Sequence, residues 1–385
     1  MKVRNNLACL LIGITSIIAI LLPCCPSHPL EAAPSEDSQP HNLKHHEHRN
    51  PGKMNIVTTT PDLDSIAEAI AGEMGNVKSI ATGYQDPHFV EAKPSYMMMA
   101  KKADLWIRIG LELEIGYEQL IIDGSRNRNI RFGTPGHLDV SEGVLLLEVP
   151  TTQKVDRSMG DIHPYGNPHI WLDPYNVRIM AKNVHRRLMM LSPENSEYFD
   201  KNLSEFLRKL DEATFGPEIV AILGGERAWL MHLSGELDFF IEEHNRKIEM
   251  EGNTPAEAGK IRLGGWMGKM NPYRGWKIVT YHRSWSYLAN RFGIIVADEL
   301  EPKPGIPPSP GHVLEVINKM KAEGIKIILM EPYYSLRAPD LVSEKTEAKV
   351  VMVANSVGGE EKAQDYLSLM DNIIEKLVHA FESQP

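Results

Sequence analysis

Asn55-Ile56-Val57-Thr58-Thr59-Thr60-Pro61-Asp62-Leu63 passes from a short β-branched run through a proline into an apolar stripe at Ile66, Ala67 and Ile70. β-Branched residues favour strands, and proline is tolerated in the first turn of a helix. Apolar positions three and four apart mark a helix face, so this stretch predicts a strand feeding directly into a helix. The pattern repeats along the chain. Strands are expected at 77–81, 104–110 and 138–140, with helices at 95–102 and 112–122. Residues 174–215 change character to long, charged, helical sequence that breaks at Gly216-Pro217. Further helices are expected at 219–223 and 236–244, and residues 250–275 are Gly-rich and poorly patterned. Alternation then resumes, with strands at 277–281, 294–297, 325–330 and 349–353 and helices at 286–292, 310–323 and 363–382. Strands alternating with helices indicate mostly parallel sheets flanked by helices. The expected fold is therefore α/β: two lobes, residues 54–173 and 276–385, joined by a long backbone helix and a Gly-rich insertion over 174–275. Strand order is not readable from this pattern.

The 385 residues are 42% hydrophobic, 24% charged and 7% aromatic, enough for two ordinary cores. A net charge of -10 and a pI near 5.9 exclude a nucleic-acid partner, which would need a concentrated basic face. At the N-terminus, Lys2 and Arg4 precede an apolar run over 7–22, the pattern of a secretory signal. That run is shorter than the roughly 20 residues of a membrane span. Residues 1–25 are read as a signal peptide or lipoprotein signal, with a retained anchor helix as the other reading. Cleavage stays open between the Cys24 and Cys25 region and the small-residue site at Ala32-Ala33. The expected location is the periplasm or the outer face of the cytoplasmic membrane, with membrane contact only through the signal or a lipid anchor. Residues 26–53 read as a flexible tether holding His41, His45, His46 and His48, either a loose metal-gathering tail or a solvated linker. Cys9, Cys24 and Cys25 are the only cysteines, so the folded part offers no thiolate and any metal site must use His, Asp, Glu or water.

Three histidines share a local setting. His88 ends Asp86-Pro87-His88, His169 lies in Asn167-Pro168-His169-Ile170-Trp171-Leu172-Asp173-Pro174, and His282 follows a strand in Thr280-Tyr281-His282. Ligands in open α/β sheets gather at the carboxyl ends of strands, where His88 and His282 are expected. A single such histidine would read as structural. Three, in loops and drawn from both lobes, read as ligands of one metal ion. His163 sits close to His169 and is expected to be an outer-shell or surface residue.

These stretches resemble the periplasmic metal-binding proteins of zinc and manganese ABC importers, the cluster A-I, zinc-uptake and treponemal metal-binder family. That family carries a DPH motif in its first lobe, NPHxWLDP before its linking helix, and a strand ending in histidine or glutamate. The resemblance covers essentially residues 55–381, and the run Glu301-Pro302-Lys303-Pro304-Gly305-Ile306-Pro307-Pro308-Ser309-Pro310 resembles one branch in detail. It implies a monomeric, non-enzymatic binding protein that captures an ion in the cleft between lobes and docks to a membrane permease with its ATPase. The stiff linking helix implies a small movement on metal release. One departure stands out: the family often has a fourth ligand, an aspartate, at the position of Asn355. Glu331, at the end of the 325–330 strand, is the nearest carboxylate that could substitute, or it lines the cleft and orients a histidine; water is the third candidate. Three imidazoles and one oxygen suit tetrahedral Zn2+, while Mn2+ favours more carboxylate oxygens, so zinc is expected and manganese is the alternative.

Two other functions use the same residues. A surface adhesin or metal-sequestering protein would share the site. A zinc-dependent hydrolase would need a base and an open position, but the sequence has no HExxH helix, GxSxG elbow or GxxxxGKS/T loop.

Overall fold

The structure, a computed structural model, describes residues 52–150, 163–251, 259–301 and 305–384. The signal region and the histidines at 41–48 lie outside them. β1 (Met54–Thr58) leads into α1 (Pro61–Ala71), which begins where Thr60 Oγ1 accepts from Leu63 N and Pro61 fills the first turn. β2 (Gly75–Ser79), α2 (Pro94–Lys101), β3 (Leu105–Arg108), α3 (Glu118–Ser125) and β4 (His137–Asp139) complete the first lobe. Its strands lie in the order β2-β1-β3-β4, every neighbouring pair parallel. Central strands of such a sheet are covered on both faces. Accordingly, Ile56, Val57, Leu105, Trp106 and Ile107 are all buried.

The helical connection is α4 (Pro174–Leu191), α5 (Ser196–Phe215), α6 (Pro217–Leu223), α7 (Gly225–Ser234), α8 (Leu237–Glu251) and α9 (Gly265–Met270). The long helical stretch is therefore divided: a 3-10 turn over Pro193–Asn195 separates α4 from α5. Pro193 explains the break, because proline has no N–H to continue the ladder and pushes Ser192 out of helical geometry, to φ -144°. α4 buries Val177, Met180, Ala181, Val184 and Leu188 on one stripe. α9 was not expected in the Gly-rich stretch, and its glycines are there for close packing. A Cβ on Gly265 would lie 2.2 Å from the Ala213 carbonyl oxygen of α5.

The second lobe comprises β5 (Lys277–Thr280), α10 (Ser286–Phe292), β6 (Ile295–Glu299), α11 (Pro310–Glu323), β7 (Ile327–Met330), α12 (Arg337–Thr346) and β8 (Lys349–Met352). Its strand order, β6-β5-β7-β8, has the same connectivity as the first sheet, and all its pairs are also parallel. α13 (Tyr366–Glu382) closes the chain and packs against α1, α9 and β8. One continuous hydrophobic cluster runs from Ile56, Leu63 and Leu105 through Val177, Phe215 and Trp266 to Leu288, Ile327 and Leu369. The two sheets thus share a core through the linking helices. Among the described residues no helix is long and apolar enough to cross a membrane.

The helix expected at 112–122 begins only at Glu118. Gly110, Leu111 and Glu112 all have positive φ, 86°, 56° and 68°. The buried Glu114 carboxylate holds this loop open by accepting from Ile109 N at 2.7 Å, Gly110 N at 3.1 Å and Thr59 Oγ1 at 2.7 Å. Side-chain hydrogen bonds to a turn have replaced the helical ladder there.

Candidate metal centre

Asp86-Pro87-His88 and Asn167-Pro168-His169 are the same device used twice. Asp86 Oδ1 accepts from His88 N at 2.9 Å and lies 2.8 Å from His88 Nδ1. Asn167 Oδ1 accepts from His169 N at 3.0 Å and lies 2.9 Å from His169 Nδ1. In each triplet the first side chain bonds both the backbone and the ring of the third residue, and the proline between them restricts the backbone. The Nδ1 proton is taken by oxygen, so each ring presents the lone pair of Nε2. This orienting role of Asp86 and Asn167 was not anticipated, although the shared two-residue spacing is visible in the sequence.

His282 follows β5 by two residues. Its Nδ1 stands 3.4 Å from Glu301 Oε1, an ion-pair distance without hydrogen-bond alignment, so the atom is buried and unbonded. His88, His169 and His282 each offer one ring nitrogen such that all three lie within 4.8 Å of one another. Ring centroids are 5.2 Å apart for His88 and His169, 5.9 Å for His88 and His282, and 5.6 Å for His169 and His282. His169 and His282 are buried, His88 half-buried. Burial, aided by the charge of the neighbouring histidines, pushes His169 well below the ordinary imidazole range, so the ring is neutral and able to donate to a cation at neutral pH. Asp86 is opposed by burial, but the hydrogen bonds and charge of His88 outweigh that effect and hold its carboxyl down at about 2.

The candidates for a fourth position are arranged differently. Glu331 is wholly buried just past β7 and does not join the cluster of converging ligand atoms. Neither of its oxygens has a hydrogen-bond partner, and burial pushes its carboxyl up to about 8, against a lowering contribution from the nearby Ser284 hydroxyl. Asn355 Oδ1 accepts from Tyr333 OH at 3.3 Å, its carbonyl accepts from Trp171 Nε1 at 2.7 Å, and its amide nitrogen is unbonded. His163 lies with its Nε2 only 3.0 Å from His88 Nε2. His282 Nδ1, Ser284 Oγ, Trp285 Nε1 and both Glu331 oxygens form a concentration of unsatisfied buried polar atoms in the second lobe. Ser284 and Trp285 lie close enough to Glu331 to lower its carboxyl against the effect of burial.

The rest of the 167–174 run ties this centre to both lobes. Asn167 Nδ2 donates to the Arg283 carbonyl at 2.8 Å, and Tyr287 OH donates to the Asn167 carbonyl at 2.8 Å. Asp173 caps α4 through Tyr175 N at 2.9 Å and takes Arg291 of α10 in a two-point ion pair at 2.7 Å each. Tyr334 OH donates to Asp86 Oδ2 at 3.0 Å, so a second-lobe tyrosine holds the first-lobe carboxylate that orients His88.

Known proteins resemble this chain in family and in fold. The family described as zinc-uptake complex component A, periplasmic, matches residues 56–215 and 267–380. The manganese ABC transporter substrate-binding lipoprotein PsaA of Streptococcus anginosus is 29% identical over 164 residues, covering 42% of this chain and 49% of that protein. The metal ABC transporter substrate-binding lipoprotein FimA of Streptococcus parasanguinis is 29% identical over 161 residues, with coverage of 42% and 49%. The chain thus spans about half the length of the curated relatives it matches. Among solved structures, the crystal structure of ZnuA aligns over 85% of this chain and 99% of its own, with a TM-score of 0.60 and 20% identity. A periplasmic metal-binding protein from candidatus liberibacter asiaticus aligns over the same shares with a TM-score of 0.56 and 21% identity, which shows a common fold. The relatives are substrate-binding components of importers and not enzymes. The chain belongs to the zinc-uptake complex component A family of periplasmic metal-binding proteins.

Proposed function

We propose that this protein captures a divalent transition metal, foremost Zn2+, between its two lobes outside the cytoplasm and delivers it to an ABC permease driven by its ATPase. The observation that carries this reading is the convergence of His88, His169 and His282, two of them with Nδ1 hydrogen-bonded to oxygen and Nε2 left to the cation. Imidazole donors suit zinc, and the Asn355 position supplies no carboxylate charge, which disfavours manganese. In this reading Glu331 and Asn355 line the wall behind the ligands.

Manganese is the second reading, favoured by the names of the streptococcal relatives. An adhesin or metal-sequestering role would use the same three histidines, and a permease and ATPase encoded beside this chain would favour import over it. Calorimetric titration with Zn2+ and Mn2+ tests the site. His169→Ala should weaken zinc binding by more than roughly 100-fold, beyond the 10–100-fold typical of losing an outer-shell partner. Unchanged zinc affinity in that variant would sink the assignment. Mn2+ binding tighter than Zn2+ binding would reverse the choice of metal.

A further inference from the structure

The turn before His169 brings another imidazole against His88. His163 begins His163-Pro164-Tyr165-Gly166, its carbonyl accepts from Gly166 N at 3.2 Å, and Asn167 N is bonded to the Leu147 carbonyl at 2.9 Å. Gly166 has φ 113°, a conformation open to glycine, and a Cβ there would lie 3.0 Å from the Leu147 carbonyl oxygen. The turn closes through Gly166 N and is anchored to residue 147 at its other end by Asn167, whose side chain orients His169. The His163 ring centroid is 5.1 Å from that of His88, as close as His169 at 5.2 Å and closer than His282 at 5.9 Å.

Two imidazole nitrogens 3.0 Å apart share one proton. Asp86 takes the Nδ1 proton of His88, so His88 Nε2 accepts and His163 Nε2 donates. A cation would replace that shared proton with a bond to each ring. Nitrogens bound tetrahedrally to zinc at 2.0–2.1 Å lie about 3.3 Å apart, so the His88–His163 pair would open by only a few tenths of an ångström, while the His163 ring would also swing towards His169 and His282. His163 would then carry its one ring proton on Nδ1, with no net change in charge.

We propose that His163 is the fourth ligand, so that the cargo cation is held by four imidazoles. This rests on reading His88, His169 and His282 as metal ligands, and it supplies a fourth donor where Asn355 offers no carboxylate. Only the ligand atoms of the other three histidines already converge; His163 and Glu331 both stand outside that group, but His163 is in contact with a ligand ring, whereas Glu331 is not, and Asn355 Oδ1 is occupied by Tyr333 OH. Four neutral nitrogen donors and no carboxylate suit zinc over manganese, so His163 also sets the class of metal.

X-ray absorption at the zinc edge, on the full chain loaded with one equivalent of Zn2+, decides the matter by counting imidazoles. The wild-type protein should show four, and His163→Ala should show three with an added oxygen donor. His163→Gln, which keeps a polar side chain on the turn, should also show three imidazoles, separating lost ligation from a collapsed turn. A histidine acting only through His88 would also cost about 10–100-fold in affinity, so the count and not the affinity discriminates. Three imidazoles and an oxygen in the wild type, unchanged in both variants, would overturn His163 as a ligand and leave the three-histidine reading standing. Wild-type protein that takes up no imidazole-bound zinc would defeat both.

Discussion

Asp62 shows how a single buried side chain ties the two lobes together and makes their contact depend on pH. Its carboxylate, at the start of α1, accepts from Ser356 Oγ at 2.6 Å and Val357 N at 3.0 Å in the loop after β8. Burial outweighs those hydrogen bonds and pushes the carboxyl up from 3.8 to about 6. A folded-state value above the unfolded one means that the folded protein binds more protons between the two values. Stability from this group is therefore greatest at low pH and is lost as pH rises through about 4 to 6. Asp62→Asn keeps an acceptor for Val357 N and cannot ionise. Between pH 5 and 7.5 the wild type should lose about 1–2 kcal/mol relative to this variant in denaturant unfolding. A stability difference that stays constant over that range would show that Asp62 does not titrate as its burial implies. The triplets at 86–88 and 167–169 belong to the same scale. Their histidines were legible as candidates because proline and spacing are local, whereas Tyr334 on Asp86 was not, since 248 residues separate the partners.

At the scale of the element, the start of α4 does two jobs with one residue. Asp173 caps the helix and neutralises Arg291 of α10, which also stacks over Tyr175 and Trp229 at 5.6 and 5.3 Å. Both partners are buried, so removing one leaves an uncompensated charge. Asp173→Ala should destabilise the protein by about 3–5 kcal/mol, several times the roughly 1 kcal/mol of a lost cap alone. Chemical denaturation measures it, and a loss near 1 kcal/mol would mean that the ion pair adds nothing beyond the cap. Helix starts were the most legible elements, because Thr60-Pro61, Asp173-Pro174 and Ser309-Pro310 are all local cap signals. The break at Pro193, the loop held open by Glu114 and the helices α7, α9 and α12 were missed. Glu114 acts through Thr59, 55 residues away in sequence, and α9 depends on glycines that only make sense against α5.

For the whole molecule, the shared core and the contacts across the lobes argue for limited motion. Besides Asp62 and Asp173, Trp171 bonds the Asn355 carbonyl, and Gly83 approaches Val357 and Gly359 so closely that a Cβ would lie 2.2 Å from backbone atoms of both. Close-packed cores do not deform continuously, so metal release should shift loops around the site more than it separates the lobes. Small-angle scattering of zinc-loaded and metal-free protein should give radii of gyration within about 1 Å of each other; a difference of several ångströms would indicate hinged opening instead. The amino-acid sequence by itself determined the α/β alternation and the two sheets and singled out the three histidines as candidates, because periodicity, caps and short motifs are properties of neighbouring residues. Only the tertiary structure decided the matching strand orders, the shared core, the burial of Glu331 away from the ligand atoms and the approach of His163 to His88. Each of these is set by which distant segments pack together.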